Sequence, residues 1–240
     1  MMTRRAFGLG ASWLFAGGAG AVLAGCAGRT KALRYRVTLE VDTPSGLRTG
    51  SSVLESTFNS GSRFEYSAHA WTYGEAPTVD LGNGRYLFAV LSDPFGTKTM
   101  YQMLLHVLRY PETRPPLADP DASSFRQANE TKPFGVVRRD DYPMLVTFGN
   151  VNDPATVMAV NPENMASEIG AGHDLRRITI QVVSKDVSLT NGFENRFPKI
   201  ANQTSPFRER LAGLLRTDDP AGRLQNGYFV WRTCCGKAAA

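Results

Sequence analysis

Imidazole is the side chain that titrates nearest neutral pH, so His69, His106 and His173 are the first candidates for proton transfer or metal binding. They stand far apart in the chain, and none sits in His-Glu-x-x-His, the spacing that sets two imidazoles on one helix face for zinc. His106 reads as a solvent-edge residue of a helix. His173-Asp174 beside Arg176-Arg177 is the most polar cluster of the second half, with His173 its titratable member, and a turn rather than a site is expected there. The carboxylate pairs Asp140-Asp141 and Asp218-Asp219 lack the alternating oxygen spacing of a calcium loop and read as solvated turns. There is no Gly-x-Ser-x-Gly to expose a nucleophile and no Gly-x-x-x-x-Gly-Lys to cradle phosphate. Gly170-Ala171-Gly172 lacks the third glycine of a dinucleotide fingerprint and reads as a turn. No catalytic, metal-binding or cofactor-binding residue is therefore assigned.

Three thiols remain, and they differ in setting. Cys234 and Cys235 are adjacent near the C-terminus. Neighbouring Cα atoms lie about 3.8 Å apart, below the usual disulfide range of about 4.4–6.8 Å, so a ring between them would be strained. Pairing between molecules, or two free thiols, are the alternatives. Cys26 instead ends an apolar run, Ala6 to Ala24, behind the positive pair Arg4 and Arg5, with no acidic residue before Glu40. That is the pattern of a targeting signal. An uncleaved span is the alternative reading. Gly8, Gly10, Gly17, Gly18 and Gly20 weigh against it, since each costs a helix interior about 1 kcal/mol relative to alanine.

Leu23-Ala24-Gly25-Cys26 resembles the lipobox of bacterial lipoproteins at all four positions. The resemblance implies cleavage before Cys26, a diacylglycerol thioether on its sulfur and acylation of the new amino terminus. Two or more chains, at about 0.8 kcal/mol per buried methylene, hold a domain on a bilayer. Ala27 rather than aspartate follows the anchor, which in that family implies onward sorting to the outer membrane, with the domain facing the periplasm. Thr3-Arg4-Arg5-Ala6-Phe7 resembles a twin-arginine export signal, with Gly8 in place of the usual large apolar residue. A chance Arg-Arg pair in a secretory leader is the other reading.

Removing residues 1–25 leaves 25 basic against 22 acidic residues, a balance of +3. Near neutrality argues against a nucleic-acid partner. The expected partners are membrane lipid through acylated Cys26, and an envelope protein or wall component. The remaining 215 residues suffice for one sizeable core, or two small ones.

The elements follow from periodicity. Leu33, Tyr35, Val37, Leu39 and Val41 alternate with polar residues, which predicts a half-buried strand. Thr43 to Gly46 supplies the turn and Ser52 to Ser56 the returning strand. Ser62 to Tyr73 is aromatic and β-prone. Thr78 to Leu81 and Tyr86 to Leu91 flank Gly82-Asn83-Gly84, and the second of these runs is apolar on both faces, as in a covered sheet. A helix capped by Asp93-Pro94 carries Met100, Leu104, Val107 and Leu108 on one face. Residues 111–135 read as a long irregular, Pro-rich segment where two halves could meet. Strands are expected at Met144 to Phe148, Thr156 to Val160, Arg176 to Ser184 and Tyr228 to Trp231. Asn161-Pro162 opens one or two helical turns, and Ser205-Pro206 a second main helix over 207–215. Because strands and helices do not alternate, the fold class is α+β, a mainly antiparallel sheet with two principal helices. The predicted organisation is a leader over 1–25, a lipidated anchor and short linker over 26–32, and a globular region over 33–240.

The six-residue linker spans at most about 20 Å, which places Arg29, Lys31, Arg34 and Arg36 near the bilayer. They could touch anionic head groups at about 1 kcal/mol each, or they could simply form a solvated edge that blocks strand aggregation. VDTPSGLRTGSSV, GEAPTVDLGNGRYLFAVL and the stretch from Pro143 to Ser184 are similar to a set of uncharacterised bacterial proteins, a resemblance that carries no activity. The expected function is a membrane-anchored envelope lipoprotein that binds without catalysis. A hydrolase with a site assembled from distant residues, around His106 or His173, is the alternative.

Overall fold

A computed structural model of the chain describes residues 31–59, 69–108, 122–207 and 220–231. Along it run β1 (Lys31–Thr43), β2 (Gly46–Asn59), β3 (His69–Glu75), β4 (Thr78–Gly82), β5 (Arg85–Ala89), α1 (Met100–Leu108), α2 (Ala122–Thr131), β6 (Phe134–Val136), β7 (Leu145–Phe148), β8 (Val157–Val160), α3 (Met165–Glu168), β9 (Asp174–Val182), α4 (Phe193–Arg196), α5 (Pro198–Ala201) and β10 (Val230–Trp231). Every strand pairing is antiparallel. The architecture is thus α+β, mainly sheet, and among the described residues the two long helices are α1 and α2. Arg4, Arg5, Cys26, Arg29, residues 111–121, most of the helix expected over 207–215, Asp218-Asp219, Cys234 and Cys235 lie outside the described residues.

The larger sheet has the order β10-β3-β2-β1-β9-β6, and the smaller one β4-β5-β7-β8. The strong alternation of β1 puts it at the centre of the larger sheet, where Leu33, Tyr35, Val37, Leu39 and Val41 are all fully buried. The two sheets approach closely where β2 meets β4. At Gly50 a Cβ would fall 2.0 Å from the Thr78 carbonyl oxygen, so only glycine fits that crossing. Each sheet draws strands from both sides of the Pro-rich segment, so the two halves expected to meet there interleave.

The apolar run of β5 has two cores to serve. Leu87 and Ala89 join Leu33 to Val41, α1, α2 and β9 in the first core, between the sheets. Phe88 and Val90 face the second, on the other side of the smaller sheet, with Phe148, Phe193, Phe197, Phe207 and Phe229. Phe88 sits among edge-to-face rings, 5.0 Å from Phe197, 5.5 Å from Phe148 and 5.7 Å from Phe229.

Two expectations need correction. Asp93-Pro94 does not open α1. The Asp93 carboxylate closes the loop ahead of the helix instead, accepting hydrogen bonds from the Thr97 hydroxyl at 2.6 Å and the Lys98 amide at 2.9 Å. The helix is capped by Thr99 and Gln102, whose side chains exchange hydrogen bonds with each other's backbone amides, a reciprocal capping box. The segment 111–135 is not irregular throughout. Within it α2 buries Phe125 and Ala128 against β1, then ends at Lys132, whose amide bonds to the Ala128 carbonyl.

The first core contains a polar chain. The hydroxyls of Tyr35, Ser56 and Thr72 link at 2.9 Å each across β1, β2 and β3. Burial holds the Tyr35 phenol above its ordinary value of 10.0, with the Ser56 and Thr72 hydrogen bonds opposing that shift. A raised folded-state value favours the neutral phenol, so the stability it brings is intact below pH 10 and lost as pH climbs above it. The expected loss is about 1.4 kcal/mol per pH unit from this group above about pH 10. Urea unfolding followed between neutral pH and pH 11 checks this. Tyr35→Phe should cost about 1 kcal/mol at neutral pH and flatten the alkaline slope.

Candidate functional site

Among the described residues, those singled out by type gather in no group of three metal-capable side chains. His173 sits in the turn before β9, where its Nδ1 donates to the Gly170 carbonyl at 2.9 Å. The charges beside it are consumed across strands. Arg176 grips Asp42 with Nε at 3.1 Å and Nη2 at 2.7 Å, and Arg177 pairs with Glu40 at 2.9 Å. That polar crowd is therefore the side of a ladder. His69 belongs to β3 by its backbone.

His106 and Asp141 were both expected at solvent, yet they meet, Nδ1 to Oδ1 at 2.7 Å, one turn beyond Gln102 on α1. The imidazole is 41% exposed and the carboxylate 17%. Among the described residues no serine, threonine or cysteine is hydrogen-bonded to this imidazole, so the pair lacks a nucleophile of its own. No cluster of three metal-capable side chains occurs among the described residues, and no described helix is long and apolar enough to cross a membrane.

The basic edge also changes. Arg34 is part of the fold, with Nε and Nη2 on Glu55 at 3.2 and 2.8 Å and Nη1 donating to the Lys185 and Val187 carbonyls at 2.6 and 2.7 Å. Its guanidinium is thus engaged within the fold. Arg36 stays exposed.

Two concavities are lined by described residues. A recess of about 60 Å³ lies beside Glu75, Thr190 and Arg196. Both oxygens of the buried Glu75 accept the Phe193 amide at 3.0 Å, which fixes the start of α4 against the end of β3. This recess has room for water and no more.

The second concavity is a groove of about 480 Å³, within the roughly 300–1,000 Å³ of small-molecule sites. Trp71 and Thr72 come from β3, Trp231 from β10, and Leu91 and Ser92 from the end of the β5 run. Thr99, Tyr101 and Gln102 come from the start of α1, and Gln225, Gly227 and Tyr228 from the turn before β10. Main-chain hydrogen bonds tie these pieces together. Leu91 N donates to Tyr228 O at 2.8 Å, Met100 N to Leu91 O at 2.9 Å, and Ala76 N to Phe229 O at 2.7 Å. The site is thus preformed. Trp71 and Trp231 are 38% and 42% exposed, unusual for the largest apolar side chains. The Trp231 ring rests on Gly227, where a Cβ would touch it at 3.6 Å.

No charged side chain lines this groove among the described residues. Its polar members are amides and hydroxyls. Gln102 has a defined orientation, because its Oε1 accepts from the Thr99 amide at 2.9 Å and the Thr99 hydroxyl at 3.1 Å. A backbone N–H can only donate, so the oxygen must face Thr99, and Nε2 is left as a donor at the groove. The arrangement can bind a ligand through ring faces and neutral hydrogen bonds. Among the described residues its lining includes no carboxylate, imidazole or thiol.

Comparisons with family models, with curated proteins and with solved structures found no match.

Proposed function

We propose that this chain is a membrane-anchored envelope lipoprotein that binds a neutral ligand in the groove between β3, β10 and α1, without catalysis. The observation that carries the reading is the lining itself. Exposed tryptophans on a preformed surface, with no charged side chain among its described lining residues, supply rigid contact area at small entropic cost. The anchor rests on Leu23-Ala24-Gly25-Cys26. Cys26→Ser is expected to shift the protein from the membrane fraction to the soluble fraction, and an unchanged distribution on fractionation counts against the tether.

The groove can be tested with its own fluorophores. The chain has three tryptophans, Trp13, Trp71 and Trp231, so in a Trp13→Phe chain all indole emission arises in the groove. Envelope material separated into lipid, peptide and glycan pools is titrated against that protein. A saturable change in emission from one pool supports the reading, and no change from any pool defeats it.

A hydrolase is the second reading, favoured by the His106–Asp141 pair one helical turn from Gln102. It requires that His106→Asn abolish turnover of a groove-bound compound while leaving its binding intact.

A further inference from the structure

A surface remote from the groove bears on the tether. Phe134 and Val136 lie on β6, at one edge of the larger sheet, and are 61% and 53% exposed. Phe134 is the most exposed large apolar side chain among the described residues. Residues two apart on a strand share a face. Gly135 between them faces inward, since a Cβ there would meet Val107 of α1 at 2.5 Å. Phe134 and Val136 therefore point off the outer face of the sheet, away from the first core. One exposed apolar residue is ordinary, whereas adjoining ones make the kind of patch that marks a contact surface.

The pairing fixes where this patch sits. Phe134 is opposite Gln181 of β9, and Gln181 is opposite Arg36 of β1, so the three form one row across the outer face. Two strand spacings and five residues along β1 separate Phe134 from Lys31, a distance of about 20 Å. From Lys31 back to Cys26 the chain extends at most about 18 Å. The turn at Thr43 to Gly46 closes the opposite end of β1. A lipid on Cys26 would thus hold at the bilayer the same end of the sheet that carries Phe134.

The charge at this end suits an anionic surface. Arg36 and Lys185 are exposed, and the Lys185 carbonyl accepts from the Arg34 guanidinium, which places Lys185 beside β1. Lys132 leads into β6, its carbonyl accepting from the Gln181 amide at 2.6 Å. Arg29 and Lys31 follow the anchor in the sequence. Of the described acids nearby, Glu55 is held by Arg34, Glu130 is matched on α2 by Arg126, and Asp186 accepts from Ser184. An exposed aromatic ring among cations is the composition of an interfacial contact, the ring entering the head-group region while the charges pair with anionic lipid. We infer that the β6 edge rests on an anionic bilayer, with Phe134 and Val136 in the interface and Arg36, Lys132 and Lys185 around them. This inference rests on the lipid tether at Cys26 and is independent of the groove.

The test uses the lipidated chain as its host makes it, purified in detergent and reconstituted into vesicles. These hold phosphatidylethanolamine and phosphatidylglycerol with acyl chains brominated near the glycerol end. Phe134→Trp, Val136→Trp and Leu47→Trp each add one indole, and emission of the parent chain is subtracted. Leu47 is the control, also exposed on the outer face but at its far end, opposite Asp42. Bromine quenches indole only near contact. Both β6 indoles are expected to lose about half or more of the added emission, and the Leu47→Trp indole less than about a tenth. Adding Arg36→Gln and Lys132→Gln to the Phe134→Trp chain should weaken docking by about fivefold per cation and so reduce the quenching. Urea midpoints confirm that each variant is folded.

Equal quenching at Leu47 and β6, or quenching untouched by loss of the two cations, overturns the inference. So does an unquenched β6 indole on a chain that floats with the vesicles, and in that case the tether stands. A β6 indole shielded from aqueous iodide yet untouched by bromine makes the surface a protein contact instead, a second copy included. A chain that fails to float with the vesicles defeats the tether and the docking together.

Discussion

The Trp71→Ala, Trp231→Ala double variant is expected to lose its response to envelope ligand while unfolding at nearly the wild-type urea concentration. Buried aromatic anchors at binding sites commonly account for about 2 kcal/mol or more each, roughly thirtyfold in affinity. Losing two should take binding out of a measurable range. The fold should tolerate it, because both rings are more than a third exposed and neither belongs to either core cluster. A stability cost of about 1 kcal/mol or less is expected. Calorimetric titration of whichever envelope pool proves active, beside urea unfolding of both proteins, checks the two halves of this expectation. Unaltered binding would place the site elsewhere.

Phe88→Ala should have the largest effect on stability, a loss of about 3–5 kcal/mol. Phe88 is fully buried on β5, between β4 and β7, with rings of Phe148, Phe193, Phe197 and Phe229 around it. Removing it empties the centre of the second core and leaves those edge-to-face contacts without a partner. Since a domain of this size holds only about 5–15 kcal/mol in reserve, the variant should approach half-unfolding under mild denaturant. Phe88→Leu keeps most of the volume and should cost about 1–2 kcal/mol. The site depends on this core. Phe229 packs on Phe88, and Tyr228 and Val230 beside it pack against the same cluster, so a loosened second core would also loosen the strand that carries Trp231. Urea midpoints of both variants, read by circular dichroism, decide the matter.

How much of this was legible before the structure depended on range along the chain. The alternation of Leu33 to Val41 fixed a strand because period two is a local pattern, and the turn at Thr43 to Gly46 fixed its partner. The two-faced apolar run at Tyr86 to Leu91 called for cover on both sides, and two cores supply it. The start of α1 was misplaced although Thr99-Met100-Tyr101-Gln102 spelled the capping box, because Asp93-Pro94 offered a competing signal that serves a loop instead. The helix α2 was missed since Ala122–Thr131 carries few large apolar residues, too few to set a period.

The groove was not legible at all. Trp71 and Trp231 border one groove only because β10 pairs with β3, across more than 150 residues of chain. No local pattern announces such a pairing. The described concavity is assembled from strand ends, a helix start and a turn. His106 and Asp141 show the same blindness, a 2.7 Å contact between residues read separately as solvent-facing. Arg34 shows the reverse, a surface charge by pattern that two carbonyls and a carboxylate had already claimed.

Oxidative footprinting of Trp71 and Trp231 in the native host bears most directly on whether the groove is where this protein works. Intact envelopes and the detergent-purified protein are exposed to the same oxidant dose, and peptides containing each tryptophan are quantified by mass spectrometry. Protection of both indoles in the envelope, lost on purification, is the expected result. Equal oxidation of both in the two settings would contradict it.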